Sequence, residues 1–278
     1  MASFFVTKAA SKAKLAGLKV AMTVIPAPRP TVFSGEGAAL KLCQAIAGFG
    51  HQKVLIVSDK ILNNLGVLRP LEAKLQELGV KVAIFDGVLP DPTFSIAEAC
   101  LQHYHVENCD SVLAVGGGSS IDVAKVIAIA ATNKKTPQQL VGILKSRKPS
   151  SPLYAIPTTA GTGSEVTVGA VISDDKTHQK GLVLDPKVVP RMVALDSGIM
   201  SGMPPKVTAE TGLDAMTHAV EAFISELAGT ESDLYARSAI RMIFENLRLT
   251  YKEPKNLVAR EAMALASHYA GLALNQAG

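Results

Sequence analysis

The run Val115-Gly116-Gly117-Gly118-Ser119-Ser120 constrains the fold of this chain more than any other feature. It lies between a short apolar segment and one of helical period, inside a β-α-β-α-β-α series. Val54 to Val57 reads as a buried strand, Val67 to Leu78 as a helix, Val80 to Phe85 as a strand, Ile96 to Val106 as a helix, Ser111 to Val115 as a strand and Ser119 to Ala131 as a helix. Parallel neighbours need a crossover, which is usually helical, so this order implies a parallel sheet, and nucleotides bind at the carboxyl edge of such sheets. Three glycines remove the Cβ atoms that would hold a ligand off the backbone. The helix that follows offers unpaired N–H groups and a positive dipole to an anion. The run is neither G-x-G-x-x-G nor a Walker A loop, so alone it reads either as a phosphate loop or as a tight strand-to-helix turn.

Further apolar segments follow at Leu153 to Ile156, Val168 to Ile172, Gly181 to Leu184 and Met192 to Leu195, separated by Pro-, Gly- and Asp-rich turns. They extend the sheet or form a flap over it. After Pro204 and Pro205 the pattern becomes purely helical, over Val207 to Leu227, Asp233 to Asn246 and Leu257 to Leu274. The expected organisation is an α/β dinucleotide-binding domain over residues 1–203 and an all-helical domain over 204–278.

The composition agrees with a folded protein: 278 residues, 48% hydrophobic and 19% charged. The net charge of +4 does not describe the body. No acidic residue precedes Glu36, while Lys8, Lys12, Lys14, Lys19 and Arg29 do, and the remaining 23 basic and 24 acidic side chains leave that body at −1. A surface built to neutralise a nucleic-acid backbone is therefore excluded. The acid-free arm reads less well as an import signal, because such peptides favour Arg over Lys. Cys43, Cys100 and Cys109 form neither a disulfide framework nor a C-x-x-C zinc motif, which points to a reducing compartment. The most apolar stretch, Ser111 to Ala131, is interrupted by Asp122 and Lys125, so no membrane span is expected. A cytoplasmic homodimer is the expected setting.

Three more places carry chemistry. Asp59 ends the first strand, where a carboxylate either accepts from ribose hydroxyls, favouring NAD over NADP, or caps the next helix. The stretch Pro157-Thr158-Thr159-Ala160-Gly161-Thr162-Gly163-Ser164-Glu165 puts hydroxyls and glycines directly after a strand and reads as a second wall of the same site. Asp214 and His218 stand four apart in a helical pattern, so a carboxylate and an imidazole share one face. The pair makes either a surface ion pair or two ligands to one cation. Its oxygen and nitrogen donors suit Fe(II) or Zn(II) better than magnesium. Two ligands are fewer than the three a catalytic metal takes from protein. His268, in an alanine-rich helix, is expected to be a polar interior or interface residue. No G-x-S-x-G elbow occurs, so serine-hydrolase chemistry has no support.

Taken together, Gly116 to Lys125 (GGGSSIDVAK), Ile156 to Thr167 (IPTTAGTGSEVT) and Thr211 to Phe223 (TGLDAMTHAVEAF) closely resemble the iron-containing alcohol dehydrogenases, in order and in separation, from about Thr31 to the last residue. The resemblance implies a dehydroquinate synthase-like architecture, with an NAD(P)-binding α/β domain and a helical domain holding divalent iron or, in its place, zinc. By matching motif, Asp59 would contact the adenosine ribose. Gly116, Gly117, Gly118, Ser119 and Asp122 would cradle the pyrophosphate, Thr158, Thr159 and Thr162 would line the cofactor, and Lys180 would reach the nicotinamide ribose. Asp214 and His218 would be metal ligands, and the substrate a small alcohol or aldehyde. Such a site supplies Lewis-acid activation of an alcohol oxygen beside a hydride-accepting nicotinamide.

The sequence departs from the family pattern at Asp91, where Asn is usual and a negative charge is added near the cofactor, at Asp196-Ser197, where Asp-Pro is frequent, and after Asn275-Gln276-Ala277-Gly278. Family members continue there into a histidine-rich segment with the remaining metal ligands and an active-site histidine, so no catalytic histidine is assigned here. On this reading the helical domain is truncated, Leu257 to Leu274 loses its cover, and the chain alone binds NAD(H) weakly or moderately, holds metal poorly and turns over little. The alternatives are a dehydroquinate-synthase-like elimination enzyme, against which TGLDAMTH argues, a hydroxyacid-oxoacid transhydrogenase, and a non-catalytic nucleotide-binding remnant.

Overall fold

A computed structural model describes residues 28–277. Most of the acid-free arm, and with it the import question, lies outside those residues. Of its cations Arg29 is described, and it pairs with Glu231 and lies over the Tyr235 ring.

Apolar runs of five or six residues form the middle of a parallel sheet. The first half contains β1 (Thr31–Ser34), α1 (Ala38–Gly48), β2 (Lys53–Val57), α2 (Lys60–Asn64), α3 (Arg69–Glu77), β3 (Lys81–Phe85), α4 (Phe94–Val106), β4 (Ser111–Gly116) and α5 (Gly118–Asn133). It is followed by β5 (Gly142–Ile143), β6 (Leu153–Pro157), β7 (Gly169–Ser173), β8 (Lys180–Leu184), β9 (Met192–Leu195) and α6 (Ser197–Met200). The six-stranded sheet has the order β1-β9-β6-β4-β2-β3, with every pair parallel.

Strand pleating divides the core between the two sheet faces. Val54 and Ile56 of β2 pack with Leu42 and Ile46 of α1 and with Leu71 and Leu75 of α3. Leu55 and Val57 point the other way, into a cluster with Ala97 and Cys100 of α4 and Ile121 and Val126 of α5. The segments between 153 and 195 divide: β6 and β9 extend the main sheet, while β7 and β8 pair antiparallel, with β5 beside β8, in a separate three-stranded sheet.

Pro205 opens α7 (Pro205–Ile224), where a missing N–H costs nothing, and α8 (Thr230–Lys252) and α9 (Leu257–Ala277) complete a helical half. This half shares the sheet's core, since Ala215, Ile243, Met263 and Ala266 belong to the same cluster as Ala114 and Leu195. The expected loss of cover over Leu257 to Leu274 is corrected here. Met263, Ala266, Ala270 and Ala273 of α9 are buried; Val258 in its first turn is exposed, and the other exposed large apolar side chains of this half, among them Leu213, Val220 and Ile224 on α7 and Leu234 and Phe244 on α8, lie on the two preceding helices. Among the described residues no helix is long and apolar enough to cross a membrane.

Candidate cofactor and metal site

The chain leaves β2 for β3 on one side and returns to β4 on the other, so the sheet's switch point falls between the carboxyl ends of β2 and β4. Crevices at such points take nucleotides, because neighbouring loops diverge there. Asp59 follows β2 on one side of this crevice, and Gly116 to Ser119 follow β4 on the other. Gly116 has φ +158°, and a Cβ there would lie 2.5 Å from Ser120 Oγ. Helix α5 starts at Gly118 with no side chain capping it, so its first amides keep their hydrogen-bonding capacity and dipole for a ligand.

Asp59 does cap a helix: its Oδ1 accepts from the Leu62 amide at 2.9 Å, and α2 begins there. One oxygen is thereby committed, and the other has no hydrogen-bond partner among the described residues. The hydroxyl loop after β6 stands directly beside the glycine run because β4 and β6 are sheet neighbours, and the Thr158 amide donates to Gly116 O at 3.0 Å. A Cβ on Gly118 would meet Thr162 Cγ2 at 2.7 Å, and one on Gly117 would meet Thr159 Oγ1 at 3.3 Å. The structure therefore brings Gly116, Gly117, Gly118, Ser119, Thr158, Thr159 and Thr162 together.

Asp122 is placed differently from a phosphate-facing residue. Its Oδ1 accepts from Ser164 Oγ at 2.5 Å and its Oδ2 from the Val171 amide at 2.9 Å, which braces α5 against the hydroxyl loop and β7. Burial raises its pKa, and Lys125, Ser164 and Val171 oppose that shift. Lys125 is fully buried and donates to Thr167 O, Thr167 Oγ1 and Gly169 O, with its pKa lowered by burial to about 8.

Asp91 and Lys180 form a second group at one end of the flap sheet. Asp91 accepts from Ser173 Oγ at 2.6 Å, and Ser173 is the strand partner of Lys180. Asp91 has φ +53°, a conformation that both Asp and Asn tolerate, so its departure from the family residue leaves the backbone undisturbed.

The metal candidates sit on α7, on a face that begins against the hydroxyl loop. A Cβ on Gly161 would meet Thr211 O at 2.8 Å, and Asp214 and His218 continue the same helix face three and seven residues on. His218 Nε2 is 3.8 Å from Asp214 Oδ1, too far for a hydrogen bond. Two metal–ligand bonds of about 2.1 Å span that separation, so one ion can reach both atoms. His218 Nδ1 is buried with no hydrogen-bond partner among the described residues, which leaves the imidazole's polar capacity unused by protein. The pair fits a divalent ion with mixed oxygen and nitrogen donors. Among the described residues no cluster of three or more His, Cys, Asp and Glu forms around it, so the remaining donors are water, substrate or groups outside those residues.

Two features of the site escaped sequence reasoning. His268 is indeed interior, but its partner is Glu165 of the hydroxyl loop, at 3.0 Å with both side chains buried. Asn275 bridges the next stretch, donating to Val166 O and accepting from Val168 N. The only advance signal was a histidine in an alanine-rich helix.

A parallel-sheet nucleotide edge with a helical half packed on its core defines the dehydroquinate synthase-like class of fold. Comparison with known proteins narrows the class. Residues 28–197 match the family described as iron-containing alcohol dehydrogenase, and residues 208–278 match the Fe-containing alcohol dehydrogenase family, C-terminal. The chain belongs to the iron-containing alcohol dehydrogenase family.

Its relatives include lactaldehyde reductase of Escherichia coli (strain K12), 38% identical over 250 residues, covering 89% of this chain and 65% of that protein. They also include 1,3-propanediol dehydrogenase of Klebsiella pneumoniae, 42% identical over 237 residues, covering 84% and 60%. Among solved structures, a 1,3-propanediol oxidoreductase superposes with a TM-score of 0.87 at 40% identity, over 91% of this chain and 66% of that one. Sulfoacetaldehyde reductase from Bifidobacterium kashiwanohense in complex with NAD+ gives 0.85 at 30%, over 90% and 67%. The chain spans 65% of the length of the first of these curated relatives.

Proposed function

We propose that the chain serves an NAD-linked, divalent-metal-dependent alcohol dehydrogenase or aldehyde reductase, with a small alcohol and its aldehyde as substrates. The observation that carries this reading is the convergence of the uncapped α5 terminus, the hydroxyl loop and the Asp214/His218 face of α7. The first amides of α5 and the hydroxyls of Thr158, Thr159 and Thr162 bind the pyrophosphate and nearby cofactor atoms, and Gly116 to Gly118 let these approach the backbone. The free oxygen of Asp59 accepts from the adenosine ribose and disfavours a 2′-phosphate, which selects NAD over NADP. Asp122 holds Ser164 and β7 in place behind the loop, while Asp91 and Lys180 close the far side, with Lys180 toward the nicotinamide ribose. Asp214 and His218 hold Fe(II), or Zn(II) in its place. A bound ion of this kind supplies Lewis-acid activation of the substrate oxygen.

Residues 1–203 and 204–278 are proposed as the cofactor and metal units. A cytoplasmic homodimer is supported by three buried, free cysteines and by the exposed apolar residues of α7 and α8. Sedimentation velocity tests the dimer. The transhydrogenase reading gains nothing from these relatives, whose names are those of alcohol and aldehyde oxidoreductases.

The test is NADH titration followed by fluorescence, with metal analysis after dialysis against Fe(II) or Zn(II). Saturable NADH binding that is weakened more than tenfold by Gly118→Val, together with metal retention that is lost in Asp214→Ala and His218→Ala, is the expected result. NADH binding with no retained metal supports the nucleotide-binding remnant instead.

A further inference from the structure

One face of α9 meets the hydroxyl loop at three successive points. His268, Gly271 and Asn275 are spaced i, i+3 and i+7, so they lie on one stripe of the helix. His268 Nδ1 lies 3.0 Å from Glu165 Oε1, within a pair whose side chains are 7% and 3% exposed. A Cβ on Gly271 would meet Gly163 O at 2.9 Å, so at this point the helix touches the loop's own backbone. Asn275 then presents its amide as a strand partner would, donating to Val166 O at 2.7 Å and accepting from Val168 N at 2.9 Å. On the opposite side the loop is tied down by Ser164 to Asp122 and by Lys125 to Thr167 and Gly169.

From this arrangement we infer that His268 and Asn275 are positioning residues: α9 acts as a splint that sets the conformation of residues 158–168 and so couples the helical half to cofactor binding. The link to cofactor rests on the reading of Thr158, Thr159 and Thr162 given above. The splint itself rests only on the contacts of α9. At this depth the Glu165 carboxyl group has the His268 ring as its side-chain hydrogen-bond partner among the described residues, so the pair fastens the loop to α9. Without it the loop samples other conformations, and apparent NADH affinity falls by the fraction of chains that leave the competent one.

The experiment compares wild type with His268→Leu, His268→Asn and Asn275→Ala, each first checked for folding by its far-ultraviolet spectrum. Leucine keeps the bulk of histidine without a hydrogen-bonding group, while asparagine restores one near the Nδ1 position. Amide hydrogen exchange of peptides spanning 158–168 is read in the absence of cofactor. His268→Leu and Asn275→Ala are expected to speed exchange there about tenfold relative to peptides from β2 and β4, and His268→Asn to stay within about twofold of wild type. NADH titration on the same proteins is expected to show dissociation constants about tenfold higher for the first two variants. Unchanged exchange at 158–168, or faster exchange spread evenly over the chain, overturns the splint. If wild type does not bind NADH, the cofactor reading fails, and the exchange arm still decides whether α9 holds the loop.

Discussion

At position 125 the chain buries a lysine completely and surrounds its ammonium group with three oxygen acceptors. All three accept, so the protonated form is the one that satisfies them, yet burial pulls its pKa from the ordinary 10.5 down to about 8. Between those two values the unfolded chain holds a proton that the folded chain has released. This group therefore makes the fold more stable as pH rises from about 8 to 10.5, and contributes no pH dependence below that window. Urea midpoints at pH 8 and pH 10 are expected to show a smaller rise, or a larger fall, in Lys125→Met than in wild type, and identical pH slopes would count against this account. Nothing in GGGSSIDVAK distinguishes Lys125 from an exposed helical lysine, because its partners lie 42 and 44 residues further along the chain. Asp214 and His218 were legible because four residues of helix suffice to put both on one face.

Among the elements, α9 shows how packing overrides intrinsic preference. Gly271 lies inside a helix, where alanine is favoured by about 1 kcal/mol. A Cβ there would lie 2.7 Å from Val166 Cγ1 and 2.9 Å from Gly163 O, and backbone cannot swing aside as a flexible side chain does. Gly271→Ala is therefore expected to destabilise the protein by about 1–3 kcal/mol despite its better propensity. A lowered thermal midpoint checks this, and a raised one contradicts it.

Strands β2, β3 and β4 and helices α4, α5, α7 and α9 were readable to within a few residues, since their apolar periods are strong. β1 and α1 went unread. Glycines at 35, 37, 48 and 50 bracket them, and β1 is an edge strand with little buried surface. The helix read over Val67 to Leu78 is shorter, Arg69–Glu77, with Pro70 in its first turn. The split of β6 to β9 between two sheets was not decidable from their sequences, because an apolar run of five residues fits either sheet.

For the molecule as a whole, the continuous core sets the expectation for unfolding. Ala215, Ile243 and Met263 of the helical half lie in one buried cluster with Leu55, Ala114 and Leu195 of the sheet. Loss of either half would strand apolar surface on the other, so urea unfolding is expected to be a single transition, coincident by far-ultraviolet dichroism and by tyrosine fluorescence. Two separated transitions would contradict a shared core.

What the sequence determined by itself was everything set by short range: the parallel-sheet class, the glycine turn into α5, the hydroxyl loop after a strand, and a carboxylate and imidazole sharing a helix face. These follow from periods of two and 3.6 residues and from spacings within one element. The tertiary structure alone decided which of these pieces meet. It placed the switch point between β2 and β4, turned Asp122 into a brace, and set α9 against the hydroxyl loop through contacts 103 to 109 residues apart. The physical reason is that such pairings depend on strand order and on close approach of backbones, and neither leaves a periodic trace in the chain.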